Sequence, residues 1–245
     1  MLCYHAVSET WNDPLAVRPD ALERQIRVLL HRRYQPVPLV ETLDGRGRLL
    51  HVTFDDAYRS VAIALPLLER LHVPVTVFAC PNYADDGRPL AIPELAAESR
   101  AYPEELTTMT WNDLRGLVDR GVEVGSHTLS HPHLPQLSDS ELGRELRDSR
   151  QRLQDELGRA CRFLAYPYGE HDARVHAAAS AAGYEAAFSL SAKRNLLDRY
   201  ALPRIAIWRR DGLPRVVLKT TPILGQVSRP FSGRQPLSRE RSRSR

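Results

Sequence analysis

No stretch of this 245-residue chain approaches the ~18 uninterrupted apolar residues of a membrane helix; even the most apolar segments are broken by Arg, Glu or Pro, which excludes a span of that kind. Cysteine is scarce. Cys3, Cys80 and Cys161 are odd in number, far apart and set in or beside apolar runs, so a disulfide framework is excluded and all three read as reduced core residues. No basic n-region precedes Leu2-Cys3-Tyr4-His5-Ala6-Val7, which already reads as a first strand. The chain as given is therefore expected in the cytoplasm, and a longer natural N-terminus would turn that expectation to export. Excess charge is missing from the body of the chain: the formal +4 sits in residues 226 to 245, where Arg229, Arg234, Arg239, Arg241, Arg243 and Arg245 face only Glu240, so residues 1 to 225 come to −1. Nucleic-acid binding is left as a weak second reading of that tail. With Pro230, Gly233 and Pro236 and little apolar surface to offset ordering entropy, residues 226 to 245 are expected to be a disordered Arg-rich tail on one catalytic domain of residues 1 to 225.

What is present is alternation. Strand-like runs at 2–7, 49–54, 73–79, 122–126, 162–166, 184–190 and 202–207 are separated by segments with helical spacing, as in Leu22, Ile26 and Leu29, in Leu114, Leu117 and Val118, and in Leu142, Leu146 and Leu153. Gly121, Gly158 and Gly183 stand where such helices would stop. Strand and helix in alternation imply an α/β fold of parallel strands joined by right-handed crossovers, either an open doubly wound sheet or a closed barrel. Both collect chemistry at the carboxyl ends of the strands. Residues 81 to 110, rich in Pro and without a sustained period, read as a long excursion over one face.

Three strand ends carry polar residues. Thr53-Phe54-Asp55-Asp56 places two carboxylates in succession; because side chains alternate along a strand, both can face one site only if the strand has ended and turned. The competing reading is a pair of helix caps. His127-Thr128-Leu129-Ser130-His131 spaces two imidazoles so that they can converge on one ion in a helical turn, with a carboxylate completing the set, although two surface histidines would look the same. Ala165-Tyr166-Pro167-Tyr168-Gly169 is a stiff turn, able to aim a backbone N–H.

In this order and at strand ends, TFDD, HTLSH and AYPYG resemble the polysaccharide deacetylase family, the nodulation-factor deacetylase-like carbohydrate esterases, over roughly residues 1 to 215. The resemblance implies a single distorted (β/α)7 barrel, which agrees with the seven runs counted independently. It also implies Asp55 as catalytic base, Asp56, His127 and His131 as ligands of one divalent metal ion, usually zinc, and Tyr168 as the residue whose backbone N–H helps hold the oxyanion. This chain departs from the family pattern twice. Ala165 stands where many members have the arginine that steadies the base, and Arg204, in the last strand, is the candidate replacement. No Leu-x-His motif occurs near the C-terminus; a subgroup resembling the biofilm poly-N-acetylglucosamine deacetylases instead keeps its acid in a first-strand Tyr-His, and Tyr4-His5 occupies that place here.

The expectation is metal-assisted removal of N-acetyl groups from an amino sugar or polysaccharide, releasing acetate. His5 would be the general acid, facing the metal from the side opposite Asp55, with His133 and His171 as alternatives; His133 is not expected to be a ligand. His51, inside a strand, is expected to lie too deep to approach substrate. A deacylase of a non-sugar acylamide or a catalytically silent carbohydrate-binding domain are the rival readings.

Overall fold

The seven apolar runs form parallel strands with helices packed outside them, in a computed structural model that describes residues 1–43, 47–190 and 198–221. In chain order the barrel strands are β1 (Leu2–Tyr4), β2 (Val52–Phe54), β3 (Val75–Ala79), β4 (Glu123–Ser126), β5 (Phe163–Ala165), β6 (Ala186–Ser189), β7 (Leu202–Pro203) and β8 (Ile205–Ala206). Their order in space is β7-β6-β5-β4-β3-β2-β1-β8. β7 and β8 are halves of one pass interrupted at Arg204: Phe188 of β6 pairs with Leu202, and Leu2 of β1 pairs with Ile205. The last pass thus bonds to both edges, giving a nearly closed (β/α)7-type barrel of eight short strands in seven passes. The tail of residues 226 to 245 and the domain boundary placed at 225 lie outside the described residues.

Two expected strands are split, each at a histidine. Ala6–Val7 leaves the barrel after His5 to pair with Ala16–Val17, and Leu49–Leu50 pairs with Gln35–Pro36 before His51. His51 is buried, with Nδ1 2.8 Å from the Val37 carbonyl and Nε2 2.9 Å from Thr76 Oγ1, a satisfied core histidine away from the mouth.

Around the barrel run α1 (Pro19–His31), α2 (Leu65–Arg70), α3 (Trp111–Asp119), α4 (Asp139–Leu157), α5 (Ala173–Ala181) and α6 (Leu213–Thr220). α1 starts with Pro19 at its first turn and buries Leu22, Ile26 and Leu29 against the strands, each contributing roughly 1.5 to 3 kcal/mol. α4 is bounded by a capping box between Ser138 and Glu141 and by Gly158 at φ 61°, a left-handed stop. Gly125 in β4 admits the Phe78 ring to the interior, where a Cβ would lie 2.5 Å from it. The excursion between β3 and α3 folds into short helices over its own small core of Trp11, Tyr58, Tyr83, Leu90, Leu95 and Leu106. All three cysteines are buried and free, and among the described residues no helix is long and apolar enough to cross a membrane.

Candidate active site

The carboxyl ends of the strands bring the three motifs together. β2 stays in the ladder through Asp55, whose N–H donates to the Tyr4 carbonyl at 3.0 Å. Asp56 and Ala57 then enter the left-handed region at φ 65° and 49°, the turn that two adjacent carboxylates require in order to share one mouth. Neither residue is glycine, so each carries a cost of roughly 1 to 2 kcal/mol. Seven non-glycine residues with positive φ occur among the described residues, and Thr128, His131 and Tyr168 join Asp56 and Ala57 among them. Backbone strain is therefore gathered at this end of the barrel.

Asp56, His127 and His131 are all buried, and their ligating atoms lie within 4.8 Å of one another. The Nε2 atoms of His127 and His131 stand 3.5 and 3.3 Å from Asp56 Oδ1. His127 Nδ1 is 2.8 Å from the Ala165 carbonyl, an acceptor only, so Nδ1 carries the proton and Nε2 turns a bare lone pair toward Asp56. Burial pushes this imidazole down to about 4, which keeps it neutral. Asp56 Oδ1 accepts no well-aligned hydrogen bond. A bare imidazole nitrogen beside an unsatisfied buried carboxylate oxygen is repulsive unless a cation lies between them, and two imidazoles with one carboxylate are a donor set suited to zinc. The residues present therefore fit a divalent metal. A second cluster, Cys3, His5 and Asp55, is as close, but its carboxylate already has a cation set against it.

That cation is Arg204, at the break between β7 and β8. Nη1 donates to Oδ1 at 2.6 Å and Nη2 to Oδ2 at 2.8 Å, while the Cys3 thiol approaches Oδ2 at 3.3 Å. Burial alone would raise the Asp55 carboxyl; the Arg204 guanidinium more than offsets this and holds it well below the usual carboxylate range. Arg204 also bonds Thr53 Oγ1 at 3.1 Å and lies over the Phe78 ring.

His5 is buried at the mouth and stacks on Trp208 with ring centroids 5.6 Å apart; its Nδ1 has no hydrogen-bond partner. A ligating nitrogen of His5 lies within 4.8 Å of both Cys3 and Asp55. The ring thus stands beside Asp55, and the expected placement across the site from it is corrected. The cause is register: β1 and β2 are adjacent, with Tyr4 opposite Phe54, so residues 5 and 55 leave the ladder as neighbours. Tyr168 has φ 59° and sets its ring edge against His131, with centroids 4.7 Å apart. His133 stacks flat on the other side of Tyr168 and is held by Glu170 and Glu94, at 2.9 and 3.3 Å. His171 pairs with His176, which is held in turn by Asp198.

Several residues at or behind the site carried no signal in the sequence. Asp211, buried, accepts the backbone N–H of Trp208 at 2.9 Å and so fixes the turn from which the indole stacks on His5. Cys3, expected only as a core residue, sets its thiol against the expected base, Asp55. Glu94 reaches in from the excursion to accept from the Tyr168 hydroxyl at 3.0 Å.

A family model described as polysaccharide deacetylase matches residues 43–187, which include all three motifs but neither His5 nor Arg204. The chain is similar to the Bacillus subtilis protein YxkH, 22% identical over 217 residues, covering 84% of this chain and 70% of that protein. Its fold is similar to that of the Streptococcus pyogenes deacetylase PplD, solved in complex with acetate, at a TM-score of 0.72 and 21% identity over 90% of this chain and 97% of the other. The fold of IcaB from Ammonifex degensii is similar too, at a TM-score of 0.72 and 23% identity over 89% of this chain and 95% of the other.

Proposed function

Since the chain belongs to the polysaccharide deacetylase family, hydrolases of carbon–nitrogen amide bonds, we propose that it removes N-acetyl groups from an amino sugar or its polymer, with one divalent cation, zinc, as cofactor. Asp56, His127 and His131 would hold the ion. Bound there, it supplies Lewis acidity that polarises the acetamide carbonyl and the attacking water.

The protein's own residues do the rest. Asp55 takes the proton of the water as it attacks. Its Oδ2 accepts from both Arg204 and Cys3 whereas Oδ1 accepts from Arg204 alone, so Oδ1 keeps the lone pair that receives the proton. Arg204 holds the carboxylate ionised and aimed. His5 donates a proton to the departing amine, and the Tyr168 N–H shares the charge of the carbonyl oxygen. Acetate and a free amino sugar leave.

The observation that carries this reading is the bare Asp56 Oδ1, faced at 3.3 and 3.5 Å by two imidazole nitrogens. The test is acetate release from N-acetylglucosamine oligomers, peptidoglycan fragments and small non-sugar acylamides, with and without chelator. Release from a saccharide that chelator abolishes and zinc restores supports the proposal; release from the acylamides alone refutes the sugar, and release indifferent to chelator refutes the metal.

A further inference from the structure

The loop that carries His127 and His131 is built against its own backbone preference. Thr128 and His131 lie at φ 68° and 65°, and a loop so strained persists only where its surroundings over-determine it. All five backbone N–H groups from 127 to 131 are committed. His127 donates to the Ala79 carbonyl at 2.9 Å, Thr128 to Ser126 Oγ at 3.1 Å, and His131 to Thr128 Oγ1 at 3.0 Å. The other two, Leu129 and Ser130, both donate to Glu145 Oε2 at 2.9 Å. The Ser130 hydroxyl donates to the second oxygen, Oε1, at 2.7 Å.

Glu145 is buried on α4, one turn before Ser149, whose hydroxyl meets that of Ser126. One helix face, at i and i+4, therefore grips the loop at its start and at its middle. A buried carboxylate needs donors, and the three that meet this one all come from the ligand loop.

The geometry points to Glu145 as a positioning residue of the metal centre, fixing residues 127 to 131 so that both imidazoles converge on Asp56. The inference rests on the reading of Asp56, His127 and His131 as ligands. Placement and charge are separable by substitution. Glu145→Asp keeps the charge but withdraws the carboxylate by one methylene from the paired N–H groups. Glu145→Gln gives up the charge and keeps the reach: the amide oxygen accepts both N–H groups, and the amide N–H donates to Ser130 Oγ, reversing one bond without losing it.

The experiment is calorimetric titration of zinc chloride into metal-stripped full-length wild type, Glu145→Asp and Glu145→Gln, with the metal-free melting temperature of each. Glu145→Asp is expected to weaken zinc at least about tenfold while Glu145→Gln stays within about threefold of wild type. A merely structural role would lower melting and leave zinc affinity alone, so unchanged affinity in Glu145→Asp overturns the inference. A loss in Glu145→Gln as large as in Glu145→Asp overturns it too, because charge would then outweigh placement. Ser130→Ala, which removes one of the three bonds from the loop side, should weaken zinc in the same direction, and no change there counts against the inference. A wild-type protein that takes up no zinc overturns the ligand reading itself, and this inference with it.

Discussion

Arg204 lays Nη1 and Nη2 against the two oxygens of Asp55, at 2.6 and 2.8 Å, from 149 positions further along the chain. It can do so because the last pass of the barrel breaks at Arg204, between a strand bonded to β6 and one bonded to β1. A planar fork satisfies both oxygens at once, which an ammonium cannot. Arg204→Lys is therefore expected to lower kcat by about tenfold or more while zinc is retained. Arg204→Ala, which strands a buried carboxylate, should cost about 3 to 5 kcal/mol of stability in denaturant unfolding. Full activity in Arg204→Lys would remove the fork from the account.

Asp55 is predicted to serve proton transfer and not metal binding. Asp55→Asn should bind zinc as wild type does and lose turnover by at least about 10²-fold, measured as acetate release at saturating zinc. Near-native turnover would take Asp55 out of the mechanism.

Ala57 occupies φ 49° directly after Asp56, where glycine would carry no steric penalty. Ala57→Gly should stabilise the protein by about 1 kcal/mol in denaturant unfolding, less than the full strain because glycine also frees the unfolded chain. Destabilisation would mean that the turn is not strained at that residue.

His51 supplies a pH dependence. Burial pushes its imidazole from the ordinary 6.5 down to about 4, so the folded state binds its proton less readily than the unfolded state. Its contribution to stability is full above 6.5 and is lost as pH falls toward 4, an effect on the order of a few kcal/mol. His51→Gln should be less stable at pH 7 and show a shallower loss of melting temperature between pH 6.5 and 4.5. An unchanged slope would assign the acid sensitivity to other groups.

What the sequence made legible was local. The strand passes, the helix faces and the acidic and histidine motifs each occupy a few consecutive residues, where period and spacing can be read directly. The relationships that complete the site are long-range. Arg204 could be suspected because its last-strand position answers the missing motif arginine, but nothing local showed that Leu202–Ile207 pairs in two directions and so turns its side chain onto Asp55. The orientation of His5 depends on the register of β1 against β2, which spacing alone does not convey. Glu145 looks like any charged residue on an amphipathic helix, and the loop it holds lies 16 positions back at Leu129; Asp211 acts on Trp208, only three positions before it, but nothing local ties that turn to His5.

The central claim is that Asp56, His127 and His131 hold a catalytic cation. Its most direct test is metal analysis of wild type and Asp56→Ala after loading with zinc and exhaustive dialysis. The account predicts one zinc per chain in wild type and none in a folded Asp56→Ala; no zinc in wild type, or one still held when Asp56 is gone, would contradict it.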